Sequence, residues 1–304
     1  MMEINDLRHS CFFCAQRIQS KKDRSREHIV PDFLLHRMDI KRETISGDSE
    51  REYAKVKVPA HADCNTRFAS AYENEVKSYL DDLDSLFDEL TIEDGCIPFD
   101  YGPDNSAASI ISTWLSKIYY GLFYYDLVTS GNPEWRAVCA SVVASKNFEL
   151  VRRSYQQGHG FGLASTLYAF RSTCEQSFDL RTTAAPAAIL IKVDALVLVL
   201  AIADGFLTKQ YLRDTPLEAL RTNIKTQEDA NVDFPGYLLA WAEVLALRVC
   251  IPKSPRFIFS DDRVINMSLA TLASNPEERY RLDEERLGGV RDQIHKDLRI
   301  IIPK

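Results

Sequence analysis

Cys11-Phe12-Phe13-Cys14, Glu27-His28-Ile29-Val30-Pro31 and His61-Ala62-Asp63-Cys64-Asn65 are the three stretches on which the fold turns. Each outer stretch holds two metal-ligating side chains separated by two residues. At that spacing one tight turn brings both ligands of a pair onto a single ion. Three thiolates and one imidazole make the closed tetrahedral shell of a structural zinc ion. The first 70 residues hold three cysteines, and all of them fall in this pattern. Cys11, Cys14 and Cys64 are therefore zinc ligands by expectation, and the fourth is His61 or His9. A small domain gains much of its stability from such an ion.

The middle stretch carries different chemistry. Neighbouring Glu27 and His28 on a strand point to opposite faces unless a bulge re-aims one of them. Asn65 begins the helix that follows Cys64. If two strands and this helix fold together, Glu27, His28 and Asn65 converge near one point. A hard cation such as Mg2+ or Mn2+ prefers oxygen, and the Glu27 carboxylate and the Asn65 amide supply two such donors. His28 is then free to accept a proton from an attacking water.

Cys-x-x-Cys, then Glu-His-Ile-x-Pro, then a second zinc pair followed at once by Asn, resembles the HNH endonucleases with a zinc-stapled ββα-metal core. The resemblance covers about residues 9 to 75. It implies an α+β fold: an N-terminal treble-clef-like ββα-metal domain with structural zinc, followed by a mixed α+β C-terminal domain. It implies Glu27 as the acidic metal ligand, His28 as general base and Asn65 as the helix residue completing the catalytic metal site. The implied activity is metal-dependent hydrolysis of DNA phosphodiesters, leaving 5′-phosphate and 3′-hydroxyl ends. The metal would stabilise the pentacovalent phosphate and the departing oxygen. Proteins of this layout resemble bacterial restriction and antiphage effectors. The chain departs from the pattern in having no Asn or His between Ile45 and Pro59, and in carrying Glu rather than the commoner Asp at position 27. A longer insertion also separates His28 from Asn65. Two other readings stand beside this one: a non-catalytic zinc module that binds nucleic acid or protein, and a nuclease acting on RNA.

The 304 residues carry 37 Lys+Arg against 44 Asp+Glu, a net charge of −7. That balance excludes a histone-like basic surface, and 45% apolar content excludes disorder. The charge is uneven. Ala15–Arg26 holds five basic residues and one acid, while Glu73–Asp104 holds eleven acids and one base, leaving 36 basic against 33 acidic residues elsewhere. A local positive face for nucleic acid is compatible with the acidic total. Lys21, Lys22, Arg24 and Arg26, with Arg67 one turn beyond Asn65, are the expected phosphate-binding residues. Cys96, Cys139, Cys174 and Cys250 are scattered and read as small buried hydrophobes, which suits a reducing, cytoplasmic setting. The longest apolar run, Ala195–Ala203, is too short for a membrane span, so no membrane partner is expected.

Tyr53–Val58 alternates and predicts a strand. Phe68, Tyr72, Val76, Leu80, Leu83, Phe87 and Leu90 predict one long helix with acids on its other face. Pro and Gly between Gly95 and Ser106 place a domain boundary there, giving an HNH nuclease domain over 1–95 and an α+β domain over 105–304. In the second part the patterns predict helices over Ala107–Leu127 and Pro133–Tyr155, a Gly158–Gly162 loop, and strands at Leu167–Arg171 and Ala188–Ala203 with a turn at Lys192–Asp194. They predict further helices at Tyr237–Val249 and from Asn275, and a strand at Arg256–Ser260. This part is expected to read the target, bind a regulatory partner or form a homodimer.

Overall fold

The computed structural model describes residues 4–45, 51–90, 106–159, 161, 165–171, 178–184, 187–202 and 266–269. In chain order the elements are α1 (Ile4–Leu7), β1 (Arg24–His28), α2 (Asp32–Arg37), β2 (Thr44–Ile45), β3 (Arg51–Glu52), β4 (Lys57–His61), α3 (Ala62–Phe68), α4 (Asn74–Asp81), α5 (Leu83–Leu90), α6 (Ala107–Thr129), α7 (Pro133–Val143), α8 (Lys146–Gln157), β5 (Ser165–Arg171), β6 (Phe178–Ala184), β7 (Ala187–Val193), β8 (Leu196–Ile202) and β9 (Asn266–Leu269). Helix and strand are mixed, as the patterning predicted. The helix at Tyr237–Val249, the strand at Arg256–Ser260 and the helix from Asn275 lie outside the described residues.

Two compact units result. One runs Met1–Asp82 and takes up Asp100–Gly162; the other holds Leu83–Phe99 and Leu163–Lys304. Helices α6–α8, expected beyond a boundary at 95–105, thus belong with the N-terminal unit. The reason is an aromatic core that neither segment completes alone. Phe13 stacks on Phe68 with centroids 5.0 Å apart, and both meet Tyr155 of α8. Phe12 contacts Tyr124 of α6 and Phe148 of α8. Polar tips on these rings find backbone partners: Tyr72 Oη donates to Ser154 O at 2.9 Å and Tyr124 Oη to Leu7 O at 2.6 Å.

In this unit β1 pairs antiparallel with β4, Glu27 opposite Val58 and His28 opposite Lys57. The predicted strand over Tyr53–Val58 is instead a 3₁₀ turn at Tyr53–Lys55 followed by β4. Tyr53 and Val56 are both buried and lie three apart, the period of a 3₁₀ turn, and alternation begins only at Val56, running on through Val58 and Ala60. The predicted long helix is α3, a π-helical turn at Ala69–Glu73, α4 and α5, with extended backbone at Asp82 ending α4. Ser145 interrupts the predicted Pro133–Tyr155 helix, because its hydroxyl accepts from Phe148 N–H and caps α8.

The middle of α6 lies directly on the Glu-His-Ile-Val-Pro stretch. A Cβ added at Gly121 would sit 2.2 Å from Cδ1 of buried Ile29, so this close approach needs glycine.

The second unit contains α5 and a five-stranded antiparallel sheet ordered β6-β7-β8-β5-β9. β7 and β8 are buried almost throughout. Their turn falls at Asp194-Ala195, with Asp194 at φ +51, rather than at Lys192–Asp194. β6 and β9 were not foreseen in the sequence.

Candidate metal centre and the residues around it

Two local devices assemble the metal ligands. The first is a hairpin-like knuckle. Cys11 N–H donates to Gln16 O at 2.8 Å and Ala15 N–H to Cys11 O at 2.9 Å, with Ala15 in the left-handed region at φ +62. Phe12 N–H donates to Pro59 O at 2.8 Å and ties this knuckle to β4. The second is the β4–α3 junction, where His61 occupies the N-cap position and Cys64 the first turn.

The ligand atoms of Cys11, Cys14, His61 and Cys64 all lie within 4.8 Å of one another. Cys14 Sγ is 3.3 Å from His61 Nδ1, and His61 N–H donates to Cys11 Sγ at 3.3 Å. His61, not His9, is the fourth member. Burial pushes the Cys14 thiol up, and burial with the Cys11 and Cys14 thiols close by pushes Cys64 up to about 12. Cys14 and Cys64 thus resist ionising, and a divalent cation removes that penalty. This donor set fits Zn2+: three sulfurs and one imidazole nitrogen, closed and with no open position.

The other predicted residues lie next to this centre. On β1 the side chains alternate, so Ser25 and Glu27 share the buried face while Arg24, Arg26 and His28 share the open one. Asn65 Nδ2 donates to Ser25 Oγ at 3.2 Å, and the Asn65 amide also hydrogen-bonds the Glu27 carboxyl. Glu27 and Asn65 do meet.

The sequence reading missed what else meets Glu27. Lys117 of α6, fully buried, pairs with Glu27 and with Glu73 Oε1 at 2.9 Å. Its ammonium also donates to His28 O at 2.5 Å and to Ile29 O at 3.3 Å. Burial pushes the Glu27 carboxyl up, Lys117 pulls it back, and Glu73 pushes it up again. Burial alone would depress Lys117, but the two carboxylates outweigh it and hold the amine above its usual range. The signal for this residue is legible afterwards. Lys117 is the one charged residue between Ala107 and Tyr125, inside an otherwise uncharged helix, and a buried cation needs an anionic partner.

His28 faces away from this cluster and is half-buried. Burial, then the charge of Lys57, holds its imidazole below the ordinary histidine range. Arg67 Nη1 donates to Gln156 O at 3.0 Å and braces α8. Lys21 and Lys22 are exposed in the bend before β1.

Among the described residues no helix is long and apolar enough to cross a membrane. Comparison with protein-family models, curated proteins and solved structures returns no match. What is in hand is a Cys3His cluster able to hold a metal ion such as zinc.

Proposed function

We propose that the N-terminal unit is an HNH-type endonuclease that hydrolyses phosphodiester bonds, with DNA the favoured substrate. One observation supports this reading: beside the Cys3His cluster Asn65 of α3 meets Glu27 of β1, and His28 follows Glu27 on the opposite face of the same strand. Zinc bound by Cys11, Cys14, His61 and Cys64 would hold the knuckle, the strand pair and the helix in one geometry. His28, kept neutral near pH 7 by burial and Lys57, would take the proton from a water attacking phosphorus. Lys57 and Arg26 flank it and would offset charge gathering on the phosphate oxygens.

The Glu27–Asn65 pair does not fit Mg2+ or Mn2+ as it stands. A carboxylate oxygen of Glu27 is held by the Lys117 ammonium, and the Asn65 N–H groups face Ser25 and Glu27. A divalent ion at Glu27 would have to share the carboxylate with the Lys117 ammonium. The same observation favours a second reading, a non-catalytic zinc module that binds nucleic acid or protein.

Plasmid nicking separates the two. Zinc-loaded wild type and His28→Ala are compared with and without added Mg2+ or Mn2+, on DNA and RNA side by side. The nuclease reading expects nicking by wild type and a loss of at least a hundredfold in His28→Ala, the lower end for a general base. Equal inertness of both proteins, with DNA binding retained, overturns it in favour of the binding module.

A further inference from the structure

On the open face of β1, a cleft of about 280 Å³ is lined by Arg8, Arg24, Arg26 and Lys57, with Tyr125 and Val128 of α6 on its wall. Four cationic side chains from three segments converge there. No carboxylate among the described residues forms an ion pair with any of them. The nearest acid on α6, Asp126, is already taken by Arg51 at 2.6 Å. That Arg51 guanidinium also lies over the Tyr125 ring, 4.7 Å from its centroid, and fixes the wall. Arg8 and Arg24 are oriented by the backbone: Arg8 Nη2 donates to Val128 O and Arg24 Nη2 to Arg8 O.

Like charges gathered around one cleft, with no carboxylate to offset them, make a site of positive potential that favours an anionic ligand. The geometry points to which anion. Arg24 and Arg26 are two residues apart on one strand face, about 6.8 Å along the strand, comparable to the spacing of adjacent phosphates on a nucleic-acid strand. Lys57 lies at one end and is the cross-strand partner of His28.

We propose that this cleft is a phosphodiester-binding track that feeds a DNA strand toward His28. The cationic residues that matter are then Arg8, Arg24, Arg26 and Lys57, drawn from α1's end, β1 and β4. Lys21, Lys22 and Arg67 are outside it. The proposal rests on the nuclease reading only for its choice of DNA as the polymer.

The test uses the zinc-loaded full chain without added divalent metal and a short fluorescein-labelled DNA duplex, with the matching single strand in parallel. Affinity is read by anisotropy over a salt series for wild type, Arg26→Gln/Lys57→Gln, and a charge-matched control, Lys77→Gln/Arg153→Gln. Lys77 and Arg153 are exposed and outside the cleft. The cleft variant is expected to lose affinity by about tenfold and to lower the log–log salt slope by about 2, near 0.9 per lost phosphate contact. The control should stay within about twofold. Equal losses in the two variants would mean net charge alone, and no loss in the cleft variant would mean the DNA lies elsewhere; either overturns the track. The two proposals fail separately. If His28→Ala nicks like wild type while the cleft variant binds weakly, the catalytic reading falls and the track stands. If nicking depends on His28 but affinity ignores Arg26 and Lys57, the reverse holds.

Discussion

Replacing Lys117 with Met tests whether the buried face of β1 is a closed ionic cluster. The Lys117 ammonium is fully buried and has four acceptors: Glu27, Glu73, His28 O and Ile29 O. The side chains of its carboxylate partners are only 8% and 15% exposed. Methionine fills a similar volume but leaves two shielded carboxylates facing each other and two carbonyls without a donor. Removing one member of a buried ion pair costs about 3–5 kcal/mol, which for a unit of this size lowers the melting temperature by on the order of 10 °C. Exposed pairs cost about 0–1 kcal/mol, so the two cases are well separated.

The assay is urea unfolding of the zinc-loaded chain followed by circular dichroism and by tryptophan fluorescence, since Trp114 lies one turn from Lys117 on α6. Adding Glu27→Gln and Glu73→Gln to Lys117→Met removes all three charges and should restore most of the loss, because a neutral buried set no longer needs a counter-ion. The single variant should also regain stability on acidification. Without the amine, the folded-state pKa of Glu27 rises further above its unfolded value. A carboxyl raised in this way contributes stability below its unfolded pKa and loses it as pH climbs through the folded one. A cost below about 1 kcal/mol, with no gain at lower pH, would refute the closed cluster and reopen Glu27 to a divalent ion.

Three further outcomes are expected. Cys64→Ser should lower zinc content, measured by inductively coupled plasma mass spectrometry, from one ion per chain toward none, and chelation of wild type should unfold the knuckle and lose α3 helicity in circular dichroism. Gly121→Ala should cost about 1–3 kcal/mol in urea unfolding, because the new methyl meets Ile29 Cδ1 at 2.2 Å in a core without room to yield; a neutral result would mean that α6 does not approach Ile29 so closely. Burial lowers the His28 pKa on folding, so the unfolded state binds its proton first, and stability should fall as pH drops from 6.5 toward the folded value. His28→Gln should flatten that part of the thermal-melt pH profile, and the acid limb of any wild-type nicking profile should lie below pH 6.5.

The metal cluster was legible because ligand chemistry is local. Two Cys/His pairs at fixed spacing need only a turn each, and the same turns recur as the Cys11–Gln16 knuckle and the His61–Cys64 helix start. His61 could not be chosen over His9 from spacing, since that choice depends on β4 running back to the knuckle through Phe12 N–H and Pro59 O. The boundary near Gly95 was read from Pro and Gly in the sequence. It did not mark the edge of a compact unit, because which core an apolar helix joins is a tertiary fact. Phe12, Phe13, Phe68 and Tyr72 bury too much ring surface for a ninety-residue piece to cover, and α6 and α8 supply the missing wall. Breaks inside the long helix were invisible for a related reason. A π-turn keeps the apolar spacing nearly intact while setting Tyr72 and Glu73 against different partners, Ser154 and Lys117.

The alternation of β1 divides the proposed chemistry in two. Glu27 and Asn65 share a face on which Lys117 already pairs with Glu27 and Glu73, whereas Arg24, Arg26 and His28 share a face with cations in excess. A catalyst built on the second face alone has a base and phosphate-binding groups but no internal cation next to the leaving oxygen. A catalyst that uses both must bring a metal ion onto the carboxylate that Lys117 holds, and any exchange between the two cations there would lengthen or break the bond from the ammonium to His28 O. Glu27 and His28 are adjacent in the chain, so the exchange would move the base itself. Metal dependence of nicking and its response to Lys117→Met should therefore change together. Nicking that requires Mn2+ and becomes easier to saturate in Lys117→Met would place the second cation at Glu27, and nicking indifferent to both would confine the chemistry to the open face.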